Sequence, residues 1–512
     1  MKRKPNIILI MTDQQRFDTI SAYGCKEINT PNIDRIAKQG VVFNKAYAEC
    51  PECVPARHAL ISGQHPLRTG VLSNAVGRLA PNTPTIMSVL SNNGYYCQAI
   101  GKMHFIPTRE KFGFHNMLLS EEVPSSIEID DYLSYLKSEG YLNYIREPHG
   151  MRGHMYYIPQ VSPLPKEKHT TWWTTEKSIE FINNIKVARR PFFLFISYIK
   201  PHPPFDPPYP YNYMILPNQL KGPLKGPDDN IKNWNLIQLI QNYYKCNITA
   251  PYFLKTMKAF YYASIKFVDD MIGKILDVLE ENGQIKNTII IFTSDHGEFL
   301  GDHGCFGKRS WYEGPGRIPL IISYPQKLPP TTHSLELAGH LDLMPTIFSL
   351  ANIKYNGIMD GIDLSKSILE NKKYRTHLFG ILDFDTGGSF HCVITDNYKY
   401  TYSSAEGMET LININKDPCE FYNLSNYINY SDIKNDLITS IFLRYKQLNS
   451  HNKYFVNGQW KNLNLEKRKY FEALFYNQDN SDDTGRYLHF SDWDGKTKDI
   501  TSNIKIKFNL FK

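Results

Sequence analysis

Short runs of apolar residues alternate with amphipathic stretches along the first two-thirds of the chain. The runs have the length of buried strands, and they predict strands at Asn6–Met11, Gly40–Ala46, Tyr95–Ile100, Phe192–Tyr198, Thr288–Thr293 and Leu320–Ser323. Apolar residues at helical spacing between them predict helices at Asn32–Lys38, Pro55–Ser62, Thr83–Asn92, Thr174–Ile185, Lys255–Glu281 and Leu343–Ala351. This alternation favours an α/β sheet with helices on both faces.

The composition changes after about residue 375. The tail is richer in Asn, Tyr and Lys and contains strand-like pieces such as Tyr398–Tyr402. A chain of 512 residues is also long for a single hydrophobic core. We therefore predict a large α/β domain over residues 1–375 and a smaller C-terminal α+β subdomain over residues 376–512.

The formal net charge is +7, from 58 basic and 51 acidic residues, and the basic residues form no long run. Such a charge attracts anionic substrates mildly, but it lacks the basic stripe or tail of a nucleic-acid-binding protein. The apolar stretch Asn6–Met11 is too short for a signal peptide, and no stretch is long enough to span a membrane. We expect a cytoplasmic protein that binds neither nucleic acid nor membranes.

Eight cysteines are spread along the chain, as free thiols of a reducing compartment usually are. Only Cys50 and Cys53 lie close together in sequence. A Cys-x-x-Cys pair is typical of a redox couple or of half a zinc site. No second pair completes a zinc site, and the surrounding pattern is not that of thioredoxin, but the redox alternative stays open at this point.

Polar residues follow two of the predicted strands at the point where each strand ends. Asp13 and Gln14 come after the first strand, and Asp295 and His296 come after the strand that begins at Thr288. Ligands of α/β sheets bind outside the carboxyl ends of the strands. Carboxylate and amide oxygens with an imidazole form a mixed ligand set for a divalent cation. The two pairs are candidates for one metal site, although each pair alone is also typical of an ordinary turn.

A third segment, Cys50-Pro-Glu-Cys53-Val-Pro55-Ala-Arg57, places a nucleophile beside a cation. Pro55 at a first helical position would put Cys53 just before a helix N-terminus, where free N–H groups attract an anion. The Arg57 guanidinium can hold two oxygens of a sulfate or phosphate group. A buried structural cysteine would not account for Arg57.

Cys53-Val-Pro55-Ala-Arg57 resembles the Cys-x-Pro-x-Arg signature of the sulfatase family, in which the cysteine is oxidised to formylglycine (3-oxoalanine). Asp13-Gln14 and Asp295-His296-Gly297-Glu298 resemble the metal-binding motifs of that family. The resemblance covers about residues 5–350, and it continues in order through Thr30-Pro-Asn-Ile-Asp34, Gly101-Lys-Met-His104, Pro201-His-Pro-Pro204, Gly307-Lys308 and His340-Leu-Asp-Leu-Met-Pro-Thr346, then weakly through Asp417-Pro418-x-Glu420.

The resemblance implies an alkaline-phosphatase-like mixed sheet, with residues 1–375 as the catalytic domain of a sulfuric ester hydrolase. Formylglycine at position 53, hydrated to a gem-diol, would attack sulfur. The resemblance implies that a divalent cation contacts this residue and is held by Asp13, Gln14, Asp295 and His296. A formylglycine-generating enzyme would then be a maturation partner.

The resemblance also implies roles for the remaining polar residues. Arg57 and Lys102 would stabilise the gem-diol and the charge that develops on it. His104 would act as the base when the second hydroxyl expels sulfate. His202 and Lys308 would bind the ester and help the leaving oxygen depart.

Two positions depart from the family pattern. Ala56 stands where the signature often has Ser, and Gln14 stands where many members have Asp. The set Asp, Gln, Asp, His resembles that of the phosphonate monoester hydrolases, relatives that act on phosphonates and phosphodiesters. We predict hydrolysis of sulfate esters, with sulfated sugars as candidate substrates. Phosphonate or phosphodiester hydrolysis and non-catalytic binding of anionic glycans are the alternatives. Ca²⁺ is the expected metal, with Mn²⁺ or Mg²⁺ as alternatives.

Overall fold

The computed structural model describes residues 3–122, 124–144, 157, 159–188, 190–226, 251–384, 388–405 and 407–463. An eight-stranded sheet has the strand order β4-β3-β5-β1-β6-β7-β2-β8. Its strands are β1 (Asn6–Asp13), β2 (Gly40–Ala46), β3 (Tyr96–Gly101), β4 (Asn116–Leu119), β5 (Phe192–Pro201), β6 (Thr288–Ser294), β7 (Leu320–Ser323) and β8 (Thr332–Ala338). Neighbouring strands are parallel, except that β7 is antiparallel to β6 and β2. This is the mixed sheet that we predicted.

Helices cover both faces of this sheet. The α-helices of the described residues are α1 (Pro31–Lys38), α2 (Cys53–Ser62), α3 (Pro66–Thr69), α4 (Ile86–Asn92), α5 (Asp131–Ser138), α6 (Thr170–Ala188), α7 (Pro251–Glu281), α8 (Glu313–Gly316), α9 (Leu343–Leu350), α10 (Leu364–Leu369), α11 (Ser431–Gln447) and α12 (His451–Tyr454). Alternate residues of a strand point to opposite faces. Ile7 and Leu9 therefore pack with α2, α4 and α9 in one core, while Ile8 and Ile10 pack with α1, α6 and α7 in another.

A four-stranded antiparallel sheet follows the large sheet along the chain. Its order is β12-β11-β10-β9, and its strands are β9 (Leu378–Asp383), β10 (Ser389–Ile394), β11 (Tyr398–Ser403) and β12 (Met408–Asn413). α11 packs on it through Leu437, Ile441 and Tyr445, and β13 (Phe455–Val456) pairs with β14 (Gln459–Trp460). These elements form the smaller α+β region that we predicted. The boundary at residues 375 and 376 stays a prediction, and residues 464–512 lie outside the described residues.

Most strands of the large sheet were predictable, but its two edge strands were not. β2 and β7 have the predicted bounds. β4 has only four residues and begins at the exposed Asn116, whereas β8 alternates exposed and buried positions in its first half. Both strands lie at an edge of the sheet, where a half-solvated strand shows no continuous apolar run.

Among the described residues, no helix is both long enough and apolar enough to cross a membrane. The cytoplasmic location stays a prediction.

Candidate active site

The carboxyl ends of the parallel strands meet at one edge of the sheet. β1 and β6 are adjacent, and the residues that follow them, Gln14 and Asp295, contact each other through a backbone N–H that donates to Asp295 Oδ1 at 3.1 Å. Asp13, Gln14, Asp295 and His296 are all fully buried. The structure therefore joins the two polar pairs that the sequence singled out.

Cys53 is the first residue of α2, and Glu52 is the N-cap. The expectation that Pro55 would begin the helix was wrong, because α2 starts two positions earlier and Pro55 lies inside the first turn, where its missing N–H is tolerated. Cys53 thus lies at the helix N-terminus rather than before it. All residues of α2 are buried, and Cys53 Sγ points toward the polar ends of β1 and β6.

Arg57, one turn after Cys53, connects the two buried carboxylates. Its Nε donates to Asp295 Oδ2 at 2.9 Å, and its Nη2 donates to Asp13 Oδ2 at 3.2 Å. Its Nη1 donates to the Lys102 carbonyl at 2.6 Å and to Ser197 Oγ at 2.9 Å. With these four contacts the guanidinium holds the strand ends in register and aligns both carboxylates.

Two lysines approach Cys53 from different elements. Lys102 follows β3, and its Nζ lies 2.5 Å from Asp13 Oδ2 and 4.0 Å from Cys53 Sγ. Lys308 Nζ lies 2.7 Å from Cys53 Sγ and 3.2 Å from Gln14 Oε1. Residue 53 is therefore flanked by two ammonium groups.

His296 presents a lone pair to the same point. Its Nδ1 lies 2.9 Å from the Gly297 carbonyl, which can only accept, so Nδ1 carries the proton and Nε2 is left as an acceptor. Nε2 lies 3.3 Å from Cys53 Sγ. Burial, reinforced by the nearby Lys308, lowers the pKa of His296 to about 4, which keeps the ring neutral as a metal ligand must be.

These side chains fit a divalent cation. One potential ligand atom each from Asp13, Cys53, Asp295 and His296 lies within 4.8 Å of the others. Gln14 Oε1 adds a neutral oxygen at the same edge of the sheet. Oxygen ligands with one imidazole suit Ca²⁺, and Mn²⁺ as well.

Both carboxylates stay ionised despite burial. Burial raises the pKa of Asp295, but His296, Arg57 and the nearby lysines lower it well below its usual range. Burial and Asp295 raise the pKa of Asp13, and Lys102 and other cations more than compensate, so that it too is lowered. The site therefore offers two negative charges to a cation at neutral pH.

Glu122 is a buried acid that the sequence analysis did not single out. Its carboxylate contacts Lys102 Nζ, and its Oε1 lies 3.2 Å from His202 Nε2. His202 Nδ1 lies 2.8 Å from the Pro203 carbonyl. Both ring nitrogens face acceptors, so the contact between His202 Nε2 and Glu122 is a hydrogen bond only when a proton lies on Nε2 or on the carboxyl group.

Glu121 and Glu298 were also missed as site residues. Glu121 accepts hydrogen bonds from the backbone N–H groups of Met103 and His104 and so fixes the start of the loop that carries His104. Glu298 is the last residue of the Asp295–Glu298 motif, but the sequence analysis assigned it no role. In the structure its carboxylate contacts the Gln14 side-chain amide. Burial raises the pKa of Glu298 to about 7, whereas the donors around it favour the carboxylate. Each of these glutamates follows an apolar run, which is the signal that could have marked them.

Cys50 does not pair with Cys53. Both cysteines are free thiols, and Cys50 Sγ lies 3.6 Å from the Leu72 carbonyl, whereas Cys53 faces Lys308. Burial raises the pKa of both thiols well above the ordinary value. A protonated buried thiol is unreactive, so this geometry does not favour a redox couple.

Comparison with known proteins agrees with this geometry. The family model described as "Sulfatase" matches residues 5–353, and the model described as "N-sulphoglucosamine sulphohydrolase, C-terminal" matches residues 301–447. An arylsulfatase of Clostridium perfringens is 32% identical over 475 residues, which cover 89% of this chain and 96% of that protein. An N-acetylglucosamine-6-O-sulfatase of Bacteroides thetaiotaomicron is 26% identical and covers 72% of each chain.

A solved structure shares the fold. The phosphonate monoester hydrolase of Agrobacterium radiobacter superimposes with a TM-score of 0.76 at 23% identity, over 87% of this chain and 96% of that chain. The chain therefore has the fold of a known hydrolase. The chain belongs to the sulfatase family, and its activity is that of a sulfuric ester hydrolase.

Proposed function

We propose that this hydrolase cleaves sulfate esters of sugars by means of a formylglycine made from Cys53 and one divalent cation. The observation that carries the proposal is the placement of Lys308. Its ammonium is buried at 3% exposure beside Cys53 Sγ, and within the described part of the chain it forms no ion pair with a carboxylate. A buried ammonium without a direct carboxylate partner is costly, although Asp13 and Glu122 stabilise its charge from a distance. The pocket is therefore suited to receive an anion next to residue 53.

The chain's own residues would hold and align the reacting groups. Asp13, Gln14, Asp295 and His296 would bind the cation. When present, the cation and the formylglycine would supply a hydroxyl nucleophile of lowered pKa and charge neutralisation at a sulfate oxygen. Lys102 and Lys308 would bind the oxygens on which negative charge grows, because fixed cations act most strongly on developing charge.

Proton transfers would use the two histidines. The pair formed by His202 and Glu122 would hold a proton beside Lys102, and His202 would pass it to the leaving oxygen of the ester. A nitrogen of His104 lies within 4.8 Å of Cys53 Sγ and of a Glu122 oxygen. Directly or through one water molecule, His104 would accept the proton of residue 53 when sulfate is released.

For the metal we propose Ca²⁺, because two carboxylates and an amide oxygen are hard ligands. The His296 nitrogen makes Mn²⁺ the main alternative, with Mg²⁺ a third. A formylglycine-generating enzyme is the proposed maturation partner, since an unmodified thiol supplies no hydroxyl.

The sugar substrate is supported by the relative named N-acetylglucosamine-6-O-sulfatase. Stacking on a sugar ring requires an exposed aromatic side chain. In the segment after β5, Tyr209 and Tyr213 are 70% and 71% exposed, whereas Tyr211 donates a hydrogen bond to Asp270, and Tyr157 is buried. Tyr209 is the proposed stacking residue, and Tyr156 lies outside the described residues.

The first test is the mass of the tryptic peptide Ala46–Arg57 from protein made together with a formylglycine-generating enzyme. We expect a peptide lighter by the exchange of thiol for aldehyde oxygen, with activity that follows the modified fraction. Active protein with an unmodified Cys53 would contradict the mechanism.

The second test compares esters on the modified protein. We expect kcat/KM to be highest for sulfated monosaccharides among panels of sulfate, phosphonate and phosphodiester substrates. A preference for the phosphonate or phosphodiester panel would instead support the relationship suggested by Gln14.

A further inference from the structure

The two ends of the Gln14 side-chain amide face groups of opposite hydrogen-bonding character. Its Nε2 donates to Glu298 Oε2, and its Oε1 accepts from Lys308 Nζ at 3.2 Å. Tyr157 Oη lies near the same nitrogen, at 3.5 Å. Gln14 is fully buried and lies directly after β1, with a backbone φ of 63°. The amide is therefore confined between an acid and a lysine.

These neighbours decide which end of the amide points into the site. A carboxylate only accepts hydrogen bonds and an ammonium only donates them. The NH₂ group must therefore lie toward Glu298, and the carbonyl oxygen must lie toward Lys308 and Cys53, whose Sγ is 2.7 Å from Lys308 Nζ. A reversed amide would place two donors together and two acceptors together.

Glu298 is held so that it cannot itself reach a cation beside Cys53. Its Oε1 accepts from the backbone N–H of Leu300 at 3.0 Å and from the backbone N–H of Gly307. Its Oε2 accepts from Tyr157 Oη at 3.3 Å as well as from Gln14. Because both oxygens already accept hydrogen bonds, the contact of this carboxylate with the proposed ligands is the one with Gln14.

We infer that Glu298 is a positioning residue that turns the Gln14 carbonyl oxygen toward the divalent cation. The inference rests on the proposed metal site. An aspartate at position 14 would need no such partner, since its two oxygens are equivalent. An aspartate there would instead place a second negative charge against Glu298. The contribution of Glu298 to the affinity for the cation should therefore depend on which residue occupies position 14.

The test is a double-mutant cycle on the full chain, with Ca²⁺ alone as the titrant in calorimetry. The four proteins are the natural chain, Glu298→Gln, Gln14→Asp and the double variant. Thermal unfolding without metal reports whether each variant folds. The readout is the Ca²⁺ dissociation constant, which does not depend on turnover. All four proteins are made without a formylglycine-generating enzyme, so that residue 53 is a cysteine in each of them.

We expect Glu298→Gln to weaken Ca²⁺ binding about 10- to 100-fold in the natural background, as the loss of a residue that orients a metal ligand usually does. In the Gln14→Asp background we expect the same substitution to leave affinity unchanged or to improve it, since it removes a repulsion. An equal loss in both backgrounds would mean that Glu298 only supports the loop at Gly307, and an unchanged affinity in Glu298→Gln would also overturn the inference.

A second measurement applies if Glu298→Gln does not fold. Gln14→Asp alone adds a formal negative charge to the site, yet we expect it to bind Ca²⁺ no more tightly than the natural chain, because the introduced carboxylate would face Glu298. A tenfold or larger gain would contradict this. If the natural chain binds neither Ca²⁺ nor Mn²⁺, the proposed metal site fails together with the inference. If it binds and the cycle shows no dependence on position 14, only the inference fails.

Discussion

The molecule contains two clusters of charged side chains below its surface, one between the two sheets and one around Cys53. They differ in how many of their charges are paired with an opposite charge. At the interface between the two sheets, Lys399 of β11 pairs with Glu313 at 2.7 Å and with Glu420 at 2.8 Å, and Arg317 pairs with Glu313 at 2.9 Å. We call these four residues the inter-sheet cluster. Each of its charges has a partner of opposite sign inside the cluster.

The cluster around Cys53 is more deeply buried than the inter-sheet cluster, in which Glu313 and Arg317 are partly exposed, but its charges do not all pair with each other. Arg57 and Lys102 contact carboxylates, whereas Lys308 is directed at Cys53 Sγ and the Gln14 carbonyl oxygen. Buried charge by itself therefore does not mark a functional site. What distinguishes the active site is a cation left to face the position of a nucleophile.

The largest expected effect is that of Cys53→Ala. Because the proposed nucleophile derives from this side chain, we expect turnover to fall by at least about a thousandfold. Removing one buried sulfur should leave a folded protein, and circular dichroism with thermal unfolding checks this. Full activity in Cys53→Ala would show that the chemistry does not pass through residue 53.

Removal of the cation should have the next largest effect. Chelation with EDTA is expected to lower activity by at least about tenfold, because the cation neutralises charge on the ester. Added Ca²⁺ or Mn²⁺ should restore activity and raise the unfolding temperature of the chelated protein, since a ligand stabilises the state that binds it. Activity that survives thorough chelation would count against the four-ligand site.

A matched pair of lysine variants separates the two clusters. Lys102→Met should lower kcat by about a hundredfold or more, because Lys102 contacts the charge that develops on the ester. Lys399→Met leaves Glu420 without a cation of the inter-sheet cluster and Glu313 with Arg317 alone, and it should lower the free energy of unfolding by roughly 3–5 kcal/mol, with kcat unchanged.

Kinetics and denaturant unfolding of both variants provide the check. A comparable loss of kcat in Lys399→Met, or unchanged turnover in Lys102→Met, would remove the distinction between a functional and a structural cluster.

The smallest effect is a difference in acid stability. Burial raises the pKa of Glu313, but the opposite effect of Lys399 and Arg317 is larger. The pKa is therefore lowered, to about 2. A carboxyl whose pKa is lowered by folding stabilises the fold above its unfolded pKa, and this contribution is lost as the pH falls toward 2. The unfolding temperature should therefore drop more steeply below pH 4.5 in the natural chain than in Glu313→Gln.

The two proteins are compared only below pH 4.5, because Glu420 titrates above this pH. Burial, opposed by Lys399, raises the pKa of Glu420 to about 7, so its effect on stability has the opposite sign between pH 7 and 4.5. Parallel curves for the two proteins below pH 4.5 would mean that Glu313 is not held ionised by the inter-sheet cluster.

The sequence predicted Asp13 and Asp295, which lie at the ends of long buried strands, and missed Glu122, which follows a short edge strand. Asp13 and Asp295 end strongly apolar runs, so they were visible as strand-end pairs. Glu122 follows the short edge strand β4, and its role appears only when the turn after β4 brings it to Lys102 and His202. The inter-sheet cluster gave no local signal, because Lys399 and Glu313 are far apart along the chain and meet only through packing.

The complete burial of α2 has a consequence for the order of events in the cell. An enzyme that oxidises Cys53 has to bind the residues on either side of it. In the folded protein these residues are buried. The proposed modification therefore competes with folding for the newly made chain. Chains that fold first would be permanently inactive while resembling the active enzyme in size and stability. The specific activity of a preparation would then record how the two rates compared during synthesis.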